Sequence, residues 1–219
     1  MGINSDGKFK VFNNNGTVFI FNNTGARWAQ QIRDGRYLVL LSSSLLELEE
    51  NGLATARSPI DLSAIDTNFV HFCYSPLTQT VLLSGQANGA VTEIKWDDSA
   101  GTVLKSVAVA NPSGVCYNAF DQSVWVIADE ANNRVVIADT TTASVNTISS
   151  VIWNDVTVPL VAPRFVESLI SGQINIIEAK GVSRAYGTTA ATHPALMRAT
   201  ANEKDFQNLL FAPILRAQD

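Results

Sequence analysis

Chemistry in this chain would have to come from a short set of side chains. Cys73 and Cys116 are its two cysteines, and His71 and His193 its two histidines. His71 lies two residues before Cys73, so on a strand the pair would share one face, turned toward the centre of a ring if the fold is one. A redox pair or a metal centre is the active reading of the cysteines, but metal sites want further His or Cys at close spacing. No CxxC or HxxxH is present, and His193 sits far along the chain. The expectation is therefore that both cysteines serve as small apolar core residues. One histidine without a partner acid or nucleophile is a weak catalytic group. No GxSxG, HExxH, phosphate-loop or GxGxxG pattern occurs.

Carboxylates and tryptophans need separate weighing. Cleaving a glycosidic bond generally takes a pair of acids flanking it. Asp66, Asp97, Asp98, Asp155 and Glu167 fall in different registers, and the apolar runs 69–74 and 114–118 hold none. These acids read as solvated turn residues. Trp125 alternates with Val124 and Val126, the pattern of a strand buried on both sides. Trp96 precedes Asp97-Asp98, and Trp153 precedes Asn154-Asp155. A large apolar ring with a donor, next to polar residues, suits an interface or a ligand, so Trp96 and Trp153 are the candidates. Trp28 is the fourth tryptophan, another ring that could stack on a sugar.

The elements that must carry these residues are strands. Two β-branched and aromatic runs, 8–12 and 17–21, flank Asn13-Asn-Asn-Gly16, a strong hairpin signal. Runs at 26–32, 37–42 and 45–49 follow, punctuated by Asp34-Gly35 and Asn51-Gly52. Glu47, Glu49 and Glu50 are expected on a solvated face. Ser84-Gly-Gln-Ala-Asn-Gly89 is expected to be a turn between strands. Between residues 68 and 148 one unit appears twice: Cys73 and Cys116, Tyr74 and Tyr117, and Val81 and Val124 are each 43 residues apart. Periods of this size belong to propellers and solenoids. Tyr37, Thr80 and Ser123 follow the same spacing, and further steps reach Val166 and Leu209. On that register 174–178 takes the place of 134–138.

The second copy has the more specific pattern. Asn111-Pro-Ser-Gly-Val, Asp121-Gln-Ser-Val-Trp-Val and Asn132-Asn-Arg-Val-Val-Ile-Ala-Asp-Thr140 resemble the YVTN/NHL-type β-propeller repeat. The resemblance covers residues 68–150, with Phe69-Val-His in place of Pro-x-Gly-Val in the first copy. It implies a propeller, a fold with many unrelated jobs. The expected architecture is all-β: one domain over residues 1–219, with five four-stranded blades. The N- and C-terminal strands would close one blade and so remove exposed sheet edges. One stretch competes. Thr200-Ala-Asn-Glu203 is a capping box, and 201–211 would make a helix with Phe206, Leu209 and Leu210 on one side, stopped by Pro213. Residues 188–219 are then an arm, led by the small, polar loop 187–194.

Composition bounds the function. A charged fraction of 16% is low, and a net charge of −5 disfavours a sequence-independent grip on nucleic acid. The first residues carry neither a basic nor an apolar region, and no run is long enough to cross a bilayer, so a soluble chain is expected. No cofactor is expected. The functional expectation is a non-enzymatic assembly protein, a rigid platform that docks other protein subunits or copies of itself. A virion component, either capsid decoration or tail protein assembled in a host cytoplasm, is the expected setting. The alternatives are a glycan-binding propeller and, behind it, a glycoside hydrolase. Trp96, Trp153, Phe206, Leu209 and Leu210 are the interface or ligand candidates.

Overall fold

The computed structural model describes residues 2–3, 9–12, 18–21, 25–33, 35–56, 59–96, 101–153, 156–169 and 173–186. Side chains are described for all of these except 2–3, 9–12, 18–21, Trp153 and Ala185. Among the described residues, twenty strands and one 3-10 turn account for nearly all of the regular structure. The first three strands, β1 (Gly2–Ile3), β2 (Phe9–Phe12) and β3 (Val18–Phe21), form an antiparallel sheet. The hairpin signal around Asn13–Gly16 is borne out by the pairing of Phe12 with Val18.

Four-stranded blades follow. The first is β4 (Trp28–Arg33), β5 (Arg36–Leu40), β6 (Ser44–Glu49) and β7 (Ile60–Asp61). The second is β8 (Phe69–Ser75), β9 (Thr80–Gly85), β10 (Ala90–Lys95) and β11 (Val103–Ala108). The third is β12 (Pro112–Tyr117), β13 (Val124–Asp129), β14 (Arg134–Asp139) and β15 (Ser144–Ile148). A separate hairpin, β16 (Ser150–Trp153) and β17 (Val156–Pro159), comes next. The fourth blade shows three strands, β18 (Pro163–Ser168), β19 (Ile174–Glu178) and β20 (Ser183–Tyr186). The arrangement is a β-propeller with β4, β8, β12 and β18 innermost.

Alternation along the second strand of each blade builds the core. On β9, Val81 and Leu83 pack against the first blade while Leu82 packs against the third. On β13, Trp125 and Ile127 face the second blade while Val126 faces the fourth. Every residue of β9 is buried, because both faces of the strand are covered. Each blade is too thin to bury an apolar face alone, so the layers between blades are the core. Trp125, expected to be core, is fully buried.

Three register expectations are corrected. Tyr74 pairs with Val81 but Tyr117 pairs with Trp125, so the turn between the first two strands is one residue longer in the third blade. Val81 therefore matches Trp125 rather than Val124. Val166 lies on the innermost strand β18, and 174–178 is the second strand of its blade, not the third. The β16–β17 hairpin delays that blade by about eight residues, which breaks the 43-residue count. Glu47 is not on a solvated face: it is 1% exposed, with Arg33 Nη2 3.5 Å away.

The sequence pattern shared with propeller repeats has local structural work. Buried Asp129 accepts from Arg134 Nε at 2.8 Å and from Asn132 Nδ2 at 2.9 and 3.0 Å. Asn133 between them takes the left-handed conformation with φ 52°, which Asn tolerates better than most side chains. Its Oδ1 accepts from the Ala162 N–H at 2.7 Å, tying this turn to the start of the next blade. The expected turn at residues 84–89 joins β9 to β10.

Candidate functional site

The innermost strands place four positions in strict correspondence. Gln30, Cys73, Cys116 and Glu167 pair with Leu38, Leu82, Val126 and Asn175 on the second strands of successive blades. Leu38, Leu82 and Val126 each pack toward the following blade. The innermost side chains at these positions reach the same way. The Tyr74 N–H donates to Gln30 Oε1 at 3.0 Å. Cys73 and Cys116 likewise pack toward the layers shared with the third and fourth blades. Gln30 thereby satisfies a backbone donor of the next blade, which a buried strand edge requires.

Two residues earlier the side chains meet near the axis. Trp28, His71 and Phe165 form an aromatic cluster, with centroids 4.1 Å apart for Trp28–His71, 5.3 Å for Trp28–Phe165 and 5.7 Å for His71–Phe165. The fourth such position is Gly114. A Cβ there would fall 2.7 Å from Phe165 Cα, so only glycine lets β12 and β18 approach. His71 Nδ1 accepts from the Val115 N–H at 3.2 Å, which leaves the proton of the neutral ring on Nε2. Burial holds His71 neutral, with its pKa lowered to about 3.

Above this floor opens a cavity of about 340 Å³. Gln30, His71, Cys73, Cys116 and Glu167 line its wall, and Leu77 stands at its edge. Burial pushes the Cys73 thiol up to about 11, and burial with the neighbouring Cys73 raises Cys116 well above its ordinary value. Thiols held protonated are poor nucleophiles at neutral pH. The cysteines, expected to be core fillers, are half-buried: each packs against a layer between blades and also lines the cavity wall. Among the described residues, no group of three or more His, Cys, Asp or Glu is arranged to hold a metal. Glu167 was expected as a solvated turn acid and instead lies on the cavity wall. Burial raises its pKa, opposed by a hydrogen bond from Asn175 Nδ2 at 3.2 Å.

The other candidates fall elsewhere. Trp96 is 4% exposed and packs in the layer between the first two blades, edge-on to Tyr74 at 6.5 Å, so its ring offers no open face. Trp153 ends β16, paired with Val156; its side chain, with Phe206, Leu209 and Leu210, lies outside the described residues. So do Asp97, Asp98, Asp155, His193 and the helix considered for 201–211. Asp66 is buried rather than solvated, and its carboxylate accepts from the Asn68 N–H at 2.6 Å and the Asn88 N–H at 2.8 Å. Sequence reasoning missed Trp28 and Phe165 as axial partners, and Gln30 and Glu167 as members of one repeated position.

One surface feature repeats beside the cavity. Leu77 is 82% exposed and Phe120 67% exposed. Each occupies the turn from the innermost to the second strand of its blade, 43 residues apart, so both stand on the same face of the propeller.

No protein-family model and no curated protein matches the sequence. Solved structures do. The WD40 β-propeller domain of Doa1 superposes with a TM-score of 0.64 at 13% identity, over 84% of this chain and 58% of that one. A catalytically inactive virginiamycin B lyase from Staphylococcus aureus gives 0.58 at 12%, over 84% and 68%. Hydrazine synthase from Kuenenia stuttgartiensis gives 0.55 at 13%, over 70% of this chain and only 42% of that one. At these identities the likeness is one of fold. The chain is a β-propeller. It spans about two-fifths to two-thirds of the length of these neighbours, and among its described residues no helix is long and apolar enough to cross a membrane.

Proposed function

We propose that this propeller is a non-enzymatic docking platform, a subunit of a larger protein assembly. The observation that carries the reading is the pair of exposed apolar turns, Leu77 and Phe120, repeated on one face, with Leu77 at the cavity edge. Exposed large apolar side chains grouped on one face mark interaction surfaces. The cavity wall supports the same reading. Its histidine is neutral with Nδ1 engaged, its thiols are protonated, and Glu167 is the one carboxylate among its described residues. Hydrolysis of a glycosidic bond would need a second acid.

The ring in this proposal has five blades. The sheet β1–β3 lies beside β4, on the side where Ala29, Tyr37, Val39 and Leu48 form a further buried cluster. An N-terminal sheet there would complete the closure. Low charge and loops rich in Asn, Ser and Thr favour a virion component, capsid decoration or tail, as that assembly. Repeated copies on a symmetric particle would be its setting.

The test is a Leu77→Ser/Phe120→Ser double variant. It should fold as the parent does and fail to enter the assembly from which the parent is recovered. A parent protein that runs as a lone monomer in its native source, or a variant incorporated normally, would overturn the proposal.

A further inference from the structure

The axial cavity has a composition that the docking reading does not use. Its 17 described lining residues include no lysine and no arginine. Its histidine is neutral, so the Glu167 carboxyl is the one group there that can carry charge near neutral pH. Gln122 Oε1 lines the cavity, is shut off from solvent and finds no hydrogen-bond partner among the described residues. A buried acceptor left unmatched is costly, so a donor is wanted at that spot.

Aromatic faces complete the site. Trp28 and Phe165 stack at its floor, and Tyr74 and Tyr117 flank the wall. The face of such rings is negative and attracts alkylammonium or guanidinium groups. The net charge of −5 favours the approach of cations over anions. The volume is at the small end of ligand pockets, which run from about 300 to 1,000 Å³.

The position of Glu167 supplies the independent geometric argument. It is the fourth member of the series Gln30, Cys73, Cys116, Glu167. Gln30 takes a backbone N–H from the next blade, and Cys73 and Cys116 pack toward the next blade as apolar side chains. Glu167 takes a side-chain donor from its own blade, Asn175, and that hydrogen bond leaves further acceptor sites on the carboxylate. Among the described residues, the one acidic member of the series is bonded within its own blade and not to a neighbouring strand.

We infer that the axial cavity binds a small organic cation, an amine or guanidine whose charge meets Glu167 and whose alkyl part lies on Trp28 and Phe165. This site would operate whether or not the Leu77–Phe120 face docks a partner.

The experiment titrates the full chain with choline, agmatine and spermidine, read by calorimetry and by tryptophan fluorescence. The neutral choline mimic 3,3-dimethylbutan-1-ol is the control ligand. At least one cation should bind with a dissociation constant below about 10 mM, and the neutral mimic more weakly. Glu167→Gln should weaken the cation about tenfold or more and leave the neutral mimic unchanged. Asp139→Asn, which removes an exposed turn acid instead, should change nothing. Binding of none of the three cations, equal binding of choline and its mimic, or equal weakening by both substitutions would overturn the inference.

Discussion

The layers between blades and the axis they surround follow opposite rules. In the layers, matched positions keep their chemistry: Leu38, Leu82 and Val126 each face the next blade, and Phe72, Val115 and Val166 each face the previous one. At the axis, matched positions diverge, as Gln30, Cys73, Cys116 and Glu167 do, and as Trp28, His71, Gly114 and Phe165 do. Layers repeat because each blade must bury the same kind of face. The axis is free to differ because, among the described residues, each blade brings one residue to a given level and each meets different partners. Variation inside a repeat is where a particular job is written.

The fourth blade sharpens this contrast. Its position matching Leu38, Leu82 and Val126 is Asn175, bonded to Glu167 and to Gln173. At that position the face it turns away from the third blade is polar where the others are apolar, while Ile177 keeps an apolar residue on the same face.

The largest effect should come from breaking a layer. Trp125→Ala should cost about 3–5 kcal/mol in denaturant unfolding, as large-to-small changes at full burial do. Ile152→Ala, at a residue 71% exposed, should cost less than about 0.5 kcal/mol. Comparable losses from the two would end the claim that the layers hold the fold.

The axis should show itself through pH. His71 is neutral when folded, with its pKa lowered to about 3, and would titrate near 6.5 when unfolded. Between those values the unfolded chain binds the extra proton, so stability is full above about 6.5 and falls as pH drops toward 3. The limiting slope is about 1.4 kcal/mol per pH unit. Asp61, Asp121 and Asp139, held below the usual carboxylate range by Ser and Thr hydrogen bonds, add their own losses only in more acid solution. Glu167, raised by burial, acts with the opposite sign as pH falls, so in a Glu167→Gln background the window from pH 6.5 to 5 isolates the histidine. A His71→Gln variant with the same slope in that window would contradict its buried, neutral placement.

A smaller effect should come from the polar link between two blades. The Tyr117 hydroxyl reaches Thr80 Oγ1 at 2.6 Å and donates to Glu93 Oε1 at 3.1 Å, all three being buried. Tyr117→Phe should cost about 1–2 kcal/mol, most of it from the Glu93 oxygen losing a donor. A neutral outcome would show that this layer tolerates a gap in its polar link. The smallest change is expected at Glu167. Its pKa is raised on folding, so its charged form costs stability at neutral pH, and Glu167→Gln should leave stability unchanged or slightly higher. A clear loss of stability would make it a structural member of its blade.

The contrast also explains what the sequence made legible. The layers could be read, since their alternation and 43-residue spacing are properties of neighbouring residues. Trp125 as core and the hairpin at 9–21 followed from pattern alone. Counting by a constant period then failed where local insertions absorb residues: the turn between the first two strands, one residue longer in the second blade than the first and again in the third, and the β16–β17 hairpin. Those slips hid the kinship of Glu167 with Cys73 and placed it among turn acids. Trp96 misled for a different reason. Polar neighbours in sequence said nothing about Leu38, Leu40 and Phe72, which close over the same layer from other strands.

The central claim is that the layers are internal scaffolding while the face bearing Leu77 and Phe120 is what partners meet. Hydrogen exchange on the chain alone and inside its native assembly tests it most directly. The account predicts that the turns at 75–80 and 118–123 exchange quickly in the free chain and become protected in the assembly, with the layer strands unchanged. Turns that exchange equally fast in both states, with protection appearing elsewhere, would contradict it.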